Sequence, residues 1–154
     1  MAVLSKFAIL DSIGFILPID SAIKGETRTI AAITVEITKG RKVIFASTHL
    51  DLKEQNRLSQ AALIVKHFQD SDLPVIIGGD FNALPDSEVI KYLDKSFTRS
   101  CLNCAFTIPV EVPDRTIDFV MYKTDGTFES VSTRVIDEKY ASDHLPVVAV
   151  LRVK

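Results

Sequence analysis

No run of lysine or arginine interrupts this chain of 154 residues, and its formal net charge is −2. A protein that grips a long nucleic acid normally carries a basic stripe. Charge therefore gives no indication of duplex binding, although a bound metal can supply local positive potential. Cysteine is scarce: Cys101 and Cys104 form a lone CxxC. His49, His67 and His144 stand at no zinc-ligand spacing from it, and no strand-helix-strand redox context surrounds it. Structural or incidental cysteines are the preferred reading, with a surface disulfide second. No apolar stretch is long enough to span a membrane. The opening Met1-Ala2-Val3-Leu4-Ser5-Lys6 lacks the basic segment, apolar core and cleavage site of a signal peptide. The chain reads as soluble, unsecreted and, by default, cytoplasmic. Repeats, low-complexity tracts and linkers are also missing, which points to one domain over residues 1–154.

What is present is an apolar chain with short elements. Hydrophobic residues make up 47% and charged residues 25%, and the mean hydropathy of +0.21 permits an apolar surface that meets a partner. Short strands are expected near Ala2–Leu4 and Ile13–Leu17. Thr29–Thr38 is rich in β-branched residues, turns at Lys39-Gly40 and pairs with Lys42–Thr48 as a hairpin. Glu54 to Gln69 is a helix whose expected buried face is Leu58, Ala61, Ala62, Val65 and Phe68. Val75–Gly79 is a short apolar strand of the kind buried centrally on both faces. Asp86 is the expected cap of a second helix from Ser87 to Leu93, with Glu88 in its first turn. Residues 94–115 read as mostly loop. Ile117–Tyr122, Phe128–Val135 and Val147–Val153 close the chain as strands. Hairpins mixed with a strand-helix-strand unit favour an α/β or α+β layered fold.

Polar clusters punctuate the strand ends: Thr48-His49-Leu50-Asp51, Gly78-Gly79-Asp80-Phe81-Asn82, Thr116-Ile117-Asp118-Phe119-Val120 and Ser142-Asp143-His144-Leu145-Pro146. A sheet can hold such short side chains around one point. Two histidines, an Asp-x-Asn pair and further aspartates suit hydrolysis at phosphorus, which uses a metal ligand, a water-orienting carboxylate and imidazoles for the phosphoryl oxygens. The glycine pair lets the chain turn sharply, and Asp80 and Asn82 can face the same way; an Asx turn is the plainer reading. An aspartate within the apolar run at Asp118 needs a partner. The candidates are a histidine, a Lys, an Arg or backbone N–H groups, and His144 is the preferred one. His49 suits either a structural or a phosphate-binding role. His67 reads as surface or packing, Arg57 and Gln60 as structural hydrogen-bonders to loops, and Arg115 as a salt-bridge former within reach of a phosphate.

Taken in order, these clusters resemble the endonuclease/exonuclease/phosphatase superfamily, which includes deoxyribonucleases, abasic-site endonucleases, inositol polyphosphate 5-phosphatases and neutral sphingomyelinases. The start, Ala2-Val3-Leu4-Ser5-Lys6-Phe7, is similar to a family segment, with Ala8 where proline is usual. The resemblance implies a four-layer α/β/β/α sandwich of deoxyribonuclease-I-like type. It also implies that this chain is the C-terminal portion, because the asparagine and the glutamate of the family's earlier strands have no counterpart here. By the same resemblance Asp80 orients or deprotonates the attacking water, and Asn82 steadies it or the phosphoryl oxygen. His144, held by Asp118, stabilises the developing charge, His49 touches the scissile phosphate, and Asp143 is a metal ligand for Mg²⁺ (or Mn²⁺).

The implied function is divalent-metal-dependent hydrolysis of a phosphodiester or phosphomonoester, weakened by the missing ligands. The alternative is a non-catalytic remnant that binds phosphate or a partner protein. The implied partners are a phosphate-ester substrate and, to cover the surface left open, a second copy of the chain or a complementing N-terminal piece.

Overall fold

The computed structural model describes residues 1–154. Its elements run β1 (Ile9–Ile16), β2 (Thr29–Thr38), β3 (Arg41–His49), α1 (Glu54–Phe68), β4 (Val75–Asp80), α2 (Glu88–Leu93), β5 (Phe97–Arg99), β6 (Asp118–Lys123), β7 (Phe128–Val135) and β8 (Val147–Val153). Six strands form one sheet in the order β1-β2-β3-β4-β6-β5, and β7-β8 form a second. The β2–β3 hairpin forms where expected, with Gly40 at φ +77° in its turn. The connection from β3 through α1 makes β4 parallel to β3, while β6 runs antiparallel to β4.

Side-chain alternation sends each strand of the large sheet in two directions. Ile30, Ala32, Ala46, Val75, Ile77, Phe119 and Met121 meet Ala61, Ile64, Val65 and Phe68 of α1 and Val89, Ile90 and Leu93 of α2 in the main core. Burying one such Ile or Phe side chain is worth about 1.5–3 kcal/mol. The opposite face packs on the second sheet through Val43, Ile76 and Tyr122 against Phe128, with Leu151 and Val153 alongside. The result is the expected α/β layering, with three layers built from this chain: helices, large sheet, small sheet. The fourth, helical layer of the expected sandwich has no element here. The only two helices lie on the same side of the large sheet, so Val131, Val148 and Val150 on the outer face of β7–β8 are exposed.

Four local expectations change. Residues 2–4 form no strand, and Leu4 to Phe7 instead border a shallow cavity together with Ile33 and Phe45; the first strand starts at Ile9, in register with β2. The buried face of α1 is rotated. Leu58 is exposed, whereas Asn56 and Gln60 are fully buried, because these amides serve the flanking loops. Asn56 accepts from Asp20 N (2.9 Å), and Gln60 accepts from Asp51 N (2.9 Å) and donates to Pro18 O (3.1 Å). Ser87, rather than Asp86, caps α2, accepting from Ile90 N at 3.4 Å. Cys101 and Cys104 are joined as a disulfide, the reading placed second from sequence.

Candidate active site

The register of the large sheet assembles the centre of the site. His49 ends β3 beside Asp80 at the end of β4, and Asp80 lies beside Asp118 at the start of β6. Neighbouring strands lie about 4.8 Å apart, so the three side chains form one row. Asp80 and Asp118 share the parity of Ile76, Val120 and Tyr122, which face the second sheet. The row therefore opens between the two sheets. His49 Nε2 lies 3.3 Å from Asp80 Oδ2.

Gly79 makes this close pairing of β3 and β4 possible. It sits at φ +153°, and a Cβ there would collide with the carbonyl oxygen of Thr48 on β3. Leu50 N then donates to Asp80 O (2.9 Å) and Phe81 N to Ile117 O (2.9 Å), locking the three strand ends together. Asn82 adopts φ +48°. Its backbone N–H donates to Asp80 Oδ1 at 2.7 Å, and its side-chain NH₂ donates to Leu50 O at 2.9 Å. The turn therefore aims Asp80 as well as capping the strand, and it leaves one Asn82 side-chain N–H for a ligand.

His144 arrives from the loop before β8. Its Nδ1 lies 2.9 Å from Asp118 Oδ2. A carboxylate only accepts, so Nδ1 carries the proton and Nε2 is the nitrogen left for a substrate. The same Asp118 oxygen accepts from Thr107 Oγ1 at 2.6 Å. Thr107 is fully buried, and its carbonyl accepts from Leu145 N at 2.7 Å. One residue thus fixes both the aspartate and the histidine's loop. Nothing in the sequence marks Thr107, because it acts across loops that meet only in the fold.

Burial pushes the Asp80 carboxyl up, reinforced by Asp118, and outweighs the Asn82 N–H and the two histidines, which pull it down. Burial works against the His144 imidazolium, but the hydrogen bond to Asp118 and the charges of Asp118, Asp80 and Asp143 prevail, so its pKa is raised. A less acidic carboxylate facing an imidazole that holds its proton is an acid/base pairing.

The cleft over this row has a volume of about 600 Å³, and His49, Asp80, Asn82, Asp143 and His144 all line it. Asp118 lies just behind, in an adjoining cavity that shares Asp80 and His144. All the site residues expected from sequence therefore converge. Asp143 stands at the exposed rim, while Asp80, Asp118 and His144 each bring one ligand atom within 4.8 Å of the others, a grouping able to hold a cation. Arg115 also lines the cleft and pairs with Asp114 at 2.7 Å. Glu26 and Arg28, which no motif singled out, complete the wall. Elsewhere, Asp51 is buried and binds Lys53 N and Asn56 Nδ2, Arg57 donates to the carbonyls of Asp51 and Leu52, and His67 packs on Phe15 and Phe68. These are structural roles.

Layered sheets with helices on one side and a His/Asp row between them define an α/β protein of deoxyribonuclease-I-like fold. The chain belongs to the Endonuclease/Exonuclease/phosphatase family, whose profile matches residues 1–144. It is 33% identical to Nocturnin from Xenopus laevis, an alignment that covers 68% of this chain and 28% of that protein; the chain thus spans well under half of that relative's length. A conserved protein from Enterococcus faecalis superposes with a TM-score of 0.83 at 21% identity, covering 97% of this chain and 68% of that one. A mannosyl-6-phosphatase from Bacteroides thetaiotaomicron superposes with a TM-score of 0.77 at 21% identity, covering 96% and 67%. At these identities the structural likeness is one of fold. No helix is long and apolar enough to cross a membrane.

Proposed function

We propose that this chain carries the reacting face of a divalent-cation-dependent phosphoesterase acting on a phosphodiester or phosphomonoester. The observation that carries this reading is the His49–Asp80–Asp118 row joined to His144 at the mouth of one cleft. Asp80, aimed by the Asn82 N–H and kept less acidic by burial, orients the attacking water and accepts its proton. His144 presents Nε2 to a phosphoryl oxygen, with its other nitrogen fixed by Asp118. His49 and the free Asn82 N–H contact the scissile phosphate. Phosphatases among the relatives are consistent with this reading.

Cation chemistry fits the donor set. Mg²⁺ and Mn²⁺ prefer oxygen, and Mg²⁺ is commonly held by one or two carboxylates plus substrate phosphate. Asp80 and Asp143 face the cleft, whereas Asp118 Oδ2 already accepts from Thr107 and His144. Asp143 would therefore hold the ion at the cleft rim, which leaves Asp80 for the water. When bound, it supplies positive charge to the phosphoryl oxygens. With few carboxylates available, its affinity is weak. The exposed apolar residues of β1 and of the outer face of β7–β8 are covered by self-association.

The test is hydrolysis of bis(p-nitrophenyl) phosphate by the whole chain. Turnover that requires Mg²⁺ or Mn²⁺, disappears in EDTA and falls by at least about 10²-fold in Asp80→Asn is expected. No turnover at millimolar metal, with retained phosphate binding, would favour the non-catalytic phosphate-binding reading instead.

A further inference from the structure

Arg28 is the one cleft cation whose bonding is left half made. Its side chain is 12% exposed, and one terminal nitrogen lies 2.7 Å from Glu26 Oε2. Its Nε is buried and has no partner. These two N–H groups point along the same edge of the planar guanidinium, the edge that takes two oxygens of one carboxylate or phosphate side by side. Arg99 shows the completed arrangement within this molecule: its Nε and a terminal nitrogen meet the two oxygens of Asp94 at 3.1 and 2.9 Å. Arg28 has only an ion-pair contact from its terminal nitrogen to Glu26, and its Nε is left without a partner. Arg57 Nε is likewise buried and unpartnered, but Arg57 does not line the cleft.

A buried donor left unpaired is costly, and a ligand that satisfies it recovers that cost. Glu26 is a weak occupant. Its side chain is 70% exposed, and ion pairs of such groups contribute little. An anion with two free oxygens that enters the cleft can displace Glu26 and engage both prongs. The histidines and Asp80 belong to the phosphate being hydrolysed, so the group at Arg28 is a different one.

We propose that Arg28 is a specificity-determining residue that binds a second, non-scissile phosphate of the substrate, with Glu26 as its resident stand-in. This rests on the phosphoesterase reading for the word substrate. The anion site itself does not depend on turnover.

Isothermal calorimetry in EDTA at neutral pH provides the test. Inorganic pyrophosphate should bind the whole chain about 10-fold more tightly than inorganic phosphate, a difference worth ~1.4 kcal/mol. Arg28→Met should abolish that preference, and Glu26→Gln, which frees the fork without touching the core, should tighten pyrophosphate several-fold. A nucleoside bisphosphate and a sugar bisphosphate, each titrated against its monophosphate, identify the carrier. A preference with either that is lost in Arg28→Met supports the proposal. Equal affinity for mono- and bisphosphates, or pyrophosphate affinity unchanged in Glu26→Gln, would overturn it. If the Arg28-dependent preference is present but metal-dependent hydrolysis is absent, the phosphoesterase reading alone fails.

Discussion

Asp118 holds two donors on one oxygen, the Thr107 hydroxyl and the His144 ring, so its charge decides the state of the histidine. In metal-free Asp118→Asn, the His144 pKa should fall from its raised value, because burial, which lowers it, would lose its main opponent. An NMR titration of the imidazole checks this, and turnover should drop by about 10²–10⁴-fold through loss of the fixed tautomer. An unchanged titration would contradict the pairing. Asp80 makes the opposite case for stability. Its folded pKa is raised, so its contribution is fully present below the unfolded value, is lost as pH rises through the folded value, and leaves a net cost at neutral pH. His144, also raised, has the same sign: its contribution is present below the unfolded histidine pKa and fades as pH rises through the folded one. Wild type should therefore melt higher in mild acid than at neutral pH. Asp80→Asn should raise Tm at pH 7 by roughly 2–4 °C, about 1 kcal/mol, while turnover falls by at least about 10²-fold. A lower Tm for this variant would mean that the contact with His49 outweighs desolvation.

At the scale of elements, the two glycines ending β4 look alike in sequence and differ in the fold. Gly79 sits at φ +153° against the Thr48 carbonyl, whereas a Cβ on Gly78 would meet only Phe119 O at 3.8 Å and Val120 Cγ2 at 3.9 Å. Gly79→Ala should lower unfolding free energy by roughly 3 kcal/mol or more, and Gly78→Ala should change it by under about 1 kcal/mol. Urea denaturation of both variants checks this, and equal effects would mean that the close approach of β3 and β4 is not the constraint. The same contact explains why the close β3–β4 pairing, rather than either strand alone, sets the distance from His49 to Asp80. The helix α1 carries a related lesson. The expected loop-bonding role of Gln60 holds, but the apolar pattern did not show that Gln60 and Asn56 are fully buried while Leu58 is exposed, because it cannot register amides buried to serve distant loops.

Across the whole molecule, two strand surfaces carry groups of exposed apolar residues: Ile9, Leu10, Ile13 and Ile16 on the edge strand β1, and Val131, Val148 and Val150 on the outside of the small sheet. An edge strand with bare hydrogen-bonding groups next to exposed apolar side chains favours association. Light scattering at micromolar concentration should therefore give a mass above that of the 17.0 kDa chain. A clean monomer at all concentrations would mean that these surfaces are tolerated in water.

The sequence by itself determined the family and the strand-end clusters that supply the candidate site residues. It could do so because the candidate side chains sit at element ends, where short polar runs interrupt apolar periodicity, and because Asp118 in an apolar strand demands a partner. Only the tertiary structure decided the rest. The row His49–Asp80–Asp118 depends on strand register. Thr107 reaches Asp118 and the His144 loop from a segment with no periodic signal. Glu26 and Arg28 enter the cleft from the loop before β2. These contacts join residues far apart in the chain, and their hydrogen bonds are set by backbone geometry that one-dimensional patterns of burial do not encode.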